Sequence, residues 1–230
     1  MIPLKDDTPV SRTPVVTIAL IALNVAVYLW QYFWVGLPQS VQVGGAIPYE
    51  ILTLRDAPPP DLVSPPLTIV TSMFLHGGLM HLGGNMLFLW IFGNNVEDAM
   101  GRGRFLVFYL ASGLAAIAAQ TVVTLWLGTN AAAAVPTLGA SGAISGVLGA
   151  YLVLLPFARV LTIIVVVPIE VPAFLFLGFW FGFQLWEGGF SIVHPQAGGG
   201  VAFFAHVGGF AFGVLTVRLF MVRQPLRPRY

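Results

Sequence analysis

The sequence contains no cysteine, which removes disulfides, thiolate metal centres and cysteine nucleophiles from consideration. Charge is nearly as scarce. Asp, Glu, Lys and Arg make up 8% of the 230 residues, against roughly 25% in a soluble domain, and the mean hydropathy is +0.88. Such a chain cannot solvate its own surface, so it reads as an integral membrane protein whose first partner is the lipid bilayer. A formal net charge of only +1 argues against nucleic acid as a partner. No H-E-x-x-H helix is present, and His76 and His81 stand about 140° apart round a helix, so they share no metal-binding face. No metal and no cofactor is expected. Paired intramembrane aspartates are missing, and the spans hold too few charges for an ion or proton transporter.

Long apolar runs are what the sequence does have. The polar start MIPLKDDTPVSRTP leads into the first without a small-residue cleavage site, so that run reads as a retained span. A helix crossing the hydrocarbon core needs about 20 apolar residues, and Val15–Trp34 supplies them. Residues 36–75 are broken by proline and polar groups and read as a long outer loop. Further spans are read over Leu79–Phe92 continuing towards Met100, Phe105–Leu127, Ser141–Leu155 and Ala202–Val222. Val160–Trp186 is interrupted by Pro168, Glu170 and Pro172; taken as a lead-in segment (Val160–Val167) and a main helix (Val171–Trp186), it brings the total to six. The fold class is an all-α membrane bundle of six transmembrane helices.

Basic residues test this count, because cytoplasmic loops and tails collect them. Six spans place Lys5, Arg12, Arg102, Arg104, Arg159, Arg218, Arg223, Arg227 and Arg229 inside and only Arg55 outside, with both termini cytoplasmic. The chain then divides into a cytoplasmic N-terminal segment (1–14), a six-span domain (15–222) and a cytoplasmic tail (223–230). The fourth span is short: fifteen residues reach only ~22 Å, less than the bilayer core. Its start is therefore expected below the outer surface, met by a loop (TNAAAAVPTLGA) that dips into the membrane. Non-helical backbone at that depth requires burial in protein or a water-filled cavity.

Four intramembrane polar residues need explaining: His81, Asn85, Ser141 and His206. His81 and Asn85, four apart, share one helix face. Ser141 opens the fourth span and His206 lies near the outer end of the sixth. Gly142, Gly146 and Gly149 on one, with Gly208, Gly209 and Gly213 on the other, allow close helix approach. The imidazole and hydroxyl then make a nucleophile–base pair. Asp6, Asp7, Glu97 and Asp98 lie at the cytoplasmic side and Glu50, Asp56 and Asp61 in the outer loop, so no orienting carboxylate is evident and a dyad is expected. The Ser141 N–H, freed at the helix start, and the His81 and Asn85 side chains are candidate donors to an oxyanion. His76 and His194 read as loop or helix-start residues.

The ordered pieces FLHGGLMHLGGNM, NNVEDAMGRGRF, GASGAISGVLGAY and AHVGGFAFG resemble the rhomboid family of intramembrane serine proteases, over roughly residues 70–215. The resemblance implies Ser141 as nucleophile, His206 as general base, His81 and Asn85 as oxyanion-hole side chains and a structural role for Glu97. Two departures stand out. SPPLTIV replaces the Trp-Arg that many members carry in the first outer loop. Ser145 replaces a tyrosine that some members stack on the base, so His206 must be held by other packing, from the glycines or a neighbouring phenylalanine. The implied reaction is hydrolysis of a peptide bond in or near the transmembrane helix of a single-span or other membrane protein. FLFLGFWFGFQLW is then a candidate gate and the loop 188–200 a candidate cap. A catalytically silent relative that binds helices without cutting is the rival reading, disfavoured because serine and histidine are both present. The expected location is a bacterial cytoplasmic membrane.

Overall fold

The computed structural model describes residues 1–55, 63–193 and 202–226. Asp56, Asp61, His194, Arg227, Arg229 and residues 194–200 of the expected cap lie outside them. Most described residues are helical. α1 (Val15–Trp30) starts directly after Pro14 and runs on through a wider π-type turn, Gln31–Val35, to Gly36. The segment after it, read as a loop, holds three short helices: α2 (Leu37–Gly44), α3 (Pro48–Thr53) and α4 (Pro65–Thr71). Each has proline in its first turn, so the residues that prevent a span are those that start these helices.

α5 (Leu79–Met100) and α6 (Arg102–Leu127) are separated only by Gly101, whose φ of 76° makes the turn. α7 (Asn130–Ala133), α8 (Ser141–Leu154), α9 (Ala173–Val193) and α10 (Phe203–Phe220) follow. Among the described residues three helical stretches are long and apolar enough to cross a membrane by length and composition: Val15–Val35, Arg102–Leu127 and Phe203–Phe220. α8 is a shorter apolar helix.

The all-α expectation needs correction. β2 (Arg159–Ile164) and β3 (Val167–Pro172) form an antiparallel hairpin, and β1 (Ile2–Asp6) pairs with β2 to complete a three-stranded sheet. Val160–Val167 is thus strand and turn, not a lead-in to the fifth span. Its sequence, VLTIIVVV, is rich in β-branched residues that favour a strand, and Pro168 denies it a helical continuation. The main helix starts after Pro172 and continues past Trp186 to Val193, so residues 188–193 are helical where a loop was expected.

The core gathers around α8. Its residues Gly142 to Tyr151 are all buried, enclosed by α10, α6, α5 and α9. Lipid tails are as apolar as leucine, so such helices associate through close packing and not through escape from water. A Cβ added to Gly209 would overlap the Gly142 carbonyl, one on Gly213 the Gly146 carbonyl, and one on Gly149 the Phe210 carbonyl. α8 and α10 therefore touch backbone to backbone.

Both ends of the described chain meet at the C-terminal end of α5. Glu97 accepts the N–H groups of Val16 (3.0 Å) and Thr17 (2.7 Å) and the Thr17 hydroxyl (2.8 Å). A buried carboxylate thus caps the first turn of α1, where orphan donors and the helix dipole favour negative charge. Asp98 accepts from the Ser11 backbone and hydroxyl and pairs with Arg223. Asp6 on β1 accepts from the Tyr151 hydroxyl (2.6 Å) and the Asn95 amide (2.8 Å). Burial pushes the Asp6 carboxyl above its ordinary range, hydrogen bonding from Tyr151 and Thr8 opposing it only in part.

Candidate active site

Ser141 is the first residue of α8, and the loop before it is pinned by backbone bonds. Ala46 and Thr137 exchange two hydrogen bonds (2.9 and 2.8 Å), and the Gly139 N–H donates to the Ser72 carbonyl at 2.8 Å. Gly139 has a φ of 113°, which side-chain-bearing residues rarely adopt. A Cβ there would lie 2.8 Å from His81 Nε2 and 3.6 Å from Ser141 Oγ. The bare glycine is what lets the His81 ring lie over the turn that presents the serine.

His206 sits in the first turn of α10, at a depth fixed from α6. The Ala205 N–H is shared between the Ala202 carbonyl and Gln120 Oε1, each at 3.1 Å, and Gln120 is itself held by Thr124. This places His206 Nε2 2.8 Å from Ser141 Oγ. The other ring nitrogen, Nδ1, lies 2.8 Å from Gln184 Oε1 on α9. Trp180, one turn earlier on α9, covers the imidazole with ring centroids 5.9 Å apart and planes at 40°. Among the described residues, the ring is held by an amide and an indole from α9. Ser145 donates to the Ser141 carbonyl at 2.6 Å and supports the helix start.

These groups open on a cavity of ≈ 470 Å³ lined by His81, Asn85, Ser141, Trp180, Gln184 and His206 among others. Among the described residues no Asp, Glu, Lys or Arg lines it. Asn85 is buried, and its Nδ2 has no hydrogen-bond partner among the described residues. His81 faces the cavity and packs edge-on against the fully buried His76 at 5.2 Å. His76 keeps its Nδ1 3.2 Å from the Phe74 carbonyl and lies in the loop just before α5, as a helix-start residue should. No group of three or more His, Asp or Glu side chains able to hold a metal occurs among the described residues.

All four residues singled out from sequence therefore line one cavity, with the serine and one histidine in hydrogen-bond contact. Gln184, Trp180 and Gln120 escaped that reading. The signal for Gln184 was present, since it is the one hydrogen-bonding amide in FLFLGFWFGFQLW and an intramembrane polar group is costly unless it serves something. Chemically, an imidazole nitrogen facing a hydroxyl, beside an unpartnered amide N–H₂ and a helix N-terminus, has the parts for activating a nucleophile and receiving negative charge.

Comparison with known proteins points the same way. Rhomboid protein 1, mitochondrial, of Saccharomyces cerevisiae is 33% identical over 205 residues, covering 86% of this chain and 51% of that protein. Rhomboid protease GluP of Bacillus subtilis is 43% identical over 84 residues, 36% of this chain and 15% of that one. Presenilin-associated rhomboid-like protein, mitochondrial, of Homo sapiens is 30% identical over 155 residues, 65% and 36% of the two chains. The chain spans about half the length of the yeast relative and smaller shares of the other two. A family model described as Rhomboid domain matches residues 65–223, a stretch containing every side chain of the site, and on that match the chain belongs to the rhomboid family.

Proposed function

We propose that the chain is an intramembrane serine endopeptidase that cuts peptide bonds in or near the transmembrane helices of other membrane proteins. The observation that carries this is the 2.8 Å contact between Ser141 Oγ and His206 Nε2 inside a cavity free of charged side chains among the described residues. Ser141 Oγ attacks the scissile carbonyl carbon while His206 Nε2 takes its proton. The tetrahedral oxyanion is received by the Ser141 N–H, Asn85 Nδ2 and His81, at the positive end of the α8 dipole. The imidazolium then gives its proton to the leaving amine, and the acyl-enzyme remains. Water, deprotonated by the same nitrogen, releases the acid and restores the serine.

The arrangement in the membrane belongs to the same proposal. Six spans are α1, α5, α6, α8, α9 and α10, forming a catalytic domain over 15–222 between an N-terminal segment and a tail. α8, with 14 residues, reaches only ~21 Å, so Ser141 lies recessed at a water-reachable depth. Both termini are cytoplasmic, beside Arg12, Arg102, Arg104 and Arg159. The arginine asymmetry carries the orientation alone; the bacterial cytoplasmic membrane is proposed without support from the relatives, two of which are named mitochondrial and one of which comes from Bacillus subtilis. α9 is the side gate, its exposed Phe179, Phe183 and Trp186 facing lipid.

The test is cleavage of a single-span substrate by purified protein in proteoliposomes, beside Ser141→Ala and His206→Ala. Both variants should lose at least ~10⁴-fold in rate, and a serine-directed fluorophosphonate should label only protein that retains Ser141. An inert wild type, or a Ser141→Ala variant that still cuts, ends the proposal. The gate has its own test in this cysteine-free chain. Phe88 on α5 and Phe176 on α9 have ring centroids 6.2 Å apart; joining cysteines there with a short crosslinker should stop cleavage of the membrane substrate while fluorophosphonate labelling persists. Unchanged cleavage would remove α9 as the gate.

A further inference from the structure

We infer that Gln184 is a positioning residue for the base, fixing which nitrogen of His206 carries the proton, and that it acts from the helix that closes the side of the cavity. The inference rests on the protease reading above. An amide oxygen only accepts hydrogen bonds. With Gln184 Oε1 2.8 Å from Nδ1, the ring hydrogen sits on Nδ1 and the lone pair of Nε2 faces the Ser141 hydroxyl at 2.8 Å. Turning the amide over would present its N–H₂ to Nδ1, move the ring hydrogen to Nε2, and aim a donor at the serine. The hydroxyl would then have nowhere to send its proton. Gln184 thus does with a neutral oxygen what a carboxylate does in a three-residue site, and adds no charge to a cavity with no charged lining residue among those described.

Gln184 is buried and lies one turn beyond Trp180, so both residues that hold the imidazole ride on α9, while the imidazole itself rides on α10. Any displacement of α9 withdraws the acceptor and the covering ring together. Base alignment is therefore complete only with α9 seated, and the entrance and the dyad form one mechanical unit.

The experiment uses the full chain in proteoliposomes with a single-span substrate. Gln184→Met keeps the side-chain length and loses the acceptor, whereas Gln184→Glu, assayed at a pH where it is ionised, keeps acceptor oxygens and has no donor. Met should lower kcat about 10- to 100-fold, the loss expected when a charge-assisted hydrogen bond to the forming imidazolium goes, with KM unchanged. Glu should stay within a few-fold of wild type. Ring ¹⁵N spectra, readable in a chain with four histidines and assigned by comparison with His206→Ala, should show His206 protonated at Nδ1. Wild-type kcat in the Met variant, a Glu variant as slow as Met, or protonation at Nε2 each overturns the inference. Failure of the protease reading looks different, because the wild type itself would then neither cut nor take up the fluorophosphonate.

Discussion

The two ends of α5 are built on opposite rules. At its C-terminal end, carboxylates are partnered, Glu97 and Asp98 buried and Asp6 half-buried: Glu97 by three donors of α1, Asp98 by Ser11 and Arg223, Asp6 by Tyr151 and Asn95. At its N-terminal end there is no carboxylate among the described cavity residues, and a buried amide nitrogen, Asn85 Nδ2, has no partner. Leaving a buried donor unpaired costs about 1–3 kcal/mol. One end uses its polar groups to hold the chain together. The other keeps a donor unspent, as a site must if negative charge is to develop there.

Removing a group from each end should therefore have opposite signatures, and Asn85→Ala is the larger effect. Losing an oxyanion donor should lower kcat about 10²- to 10³-fold. Stability should stay level or rise, because the amide nitrogen that goes has no partner among the described residues. Turnover of a single-span substrate, set beside thermal unfolding in detergent, reads both. A variant that loses stability while keeping kcat would make Asn85 structural and erase the contrast.

Glu97→Ala should show the reverse. Two N–H groups and a hydroxyl at the start of α1 lose their acceptor, Thr17 being fully buried. A cost of about 3 kcal/mol is expected, seen as a lower Tm, with the folded fraction cutting at the wild-type rate. An unchanged Tm would mean that Glu97 does not hold α1.

How far the sequence reveals this contrast depends on whether the partners are local. Ser141, His206, His81 and Asn85 are legible because intramembrane polar groups stand out singly against apolar runs, and because the glycines of α8 and α10 announce a close approach. The sheet is not legible. A short apolar run such as VLTIIVVV suits a strand as well as a buried helix segment, and its partner strand, Ile2–Asp6, lies more than 150 residues earlier. Nothing local in MIPLKD marks it as a strand. Gln184 is intermediate: its polarity is visible, but its use depends on which face of α9 meets α10, a matter of packing. The contacts made by Asp6, Glu97 and Asp98 are equally non-local, so sequence places these acids at the cytoplasmic side without naming their partners.

The smallest effect expected is at Asp6, and it tests whether the partnered end is held by charge or merely by hydrogen bonds. Burial raises its carboxyl in the folded protein above the unfolded value. The folded state therefore binds the proton more tightly. The stability this contributes is present below the ordinary carboxylate range and is lost as pH rises through the raised value. Asp6→Asn keeps an oxygen for Tyr151 and Asn95 and never ionises. It should match wild type in acid and exceed it at pH 7 by about 2 °C in Tm, the response of a chain this size to under ~1 kcal/mol. Unfolding of both proteins across pH 4–7 measures the difference. A wild type that gains on the Asn variant as pH rises would mean that the ionised carboxylate is what fastens β1 to Tyr151, and the partnered end would then be held by charge.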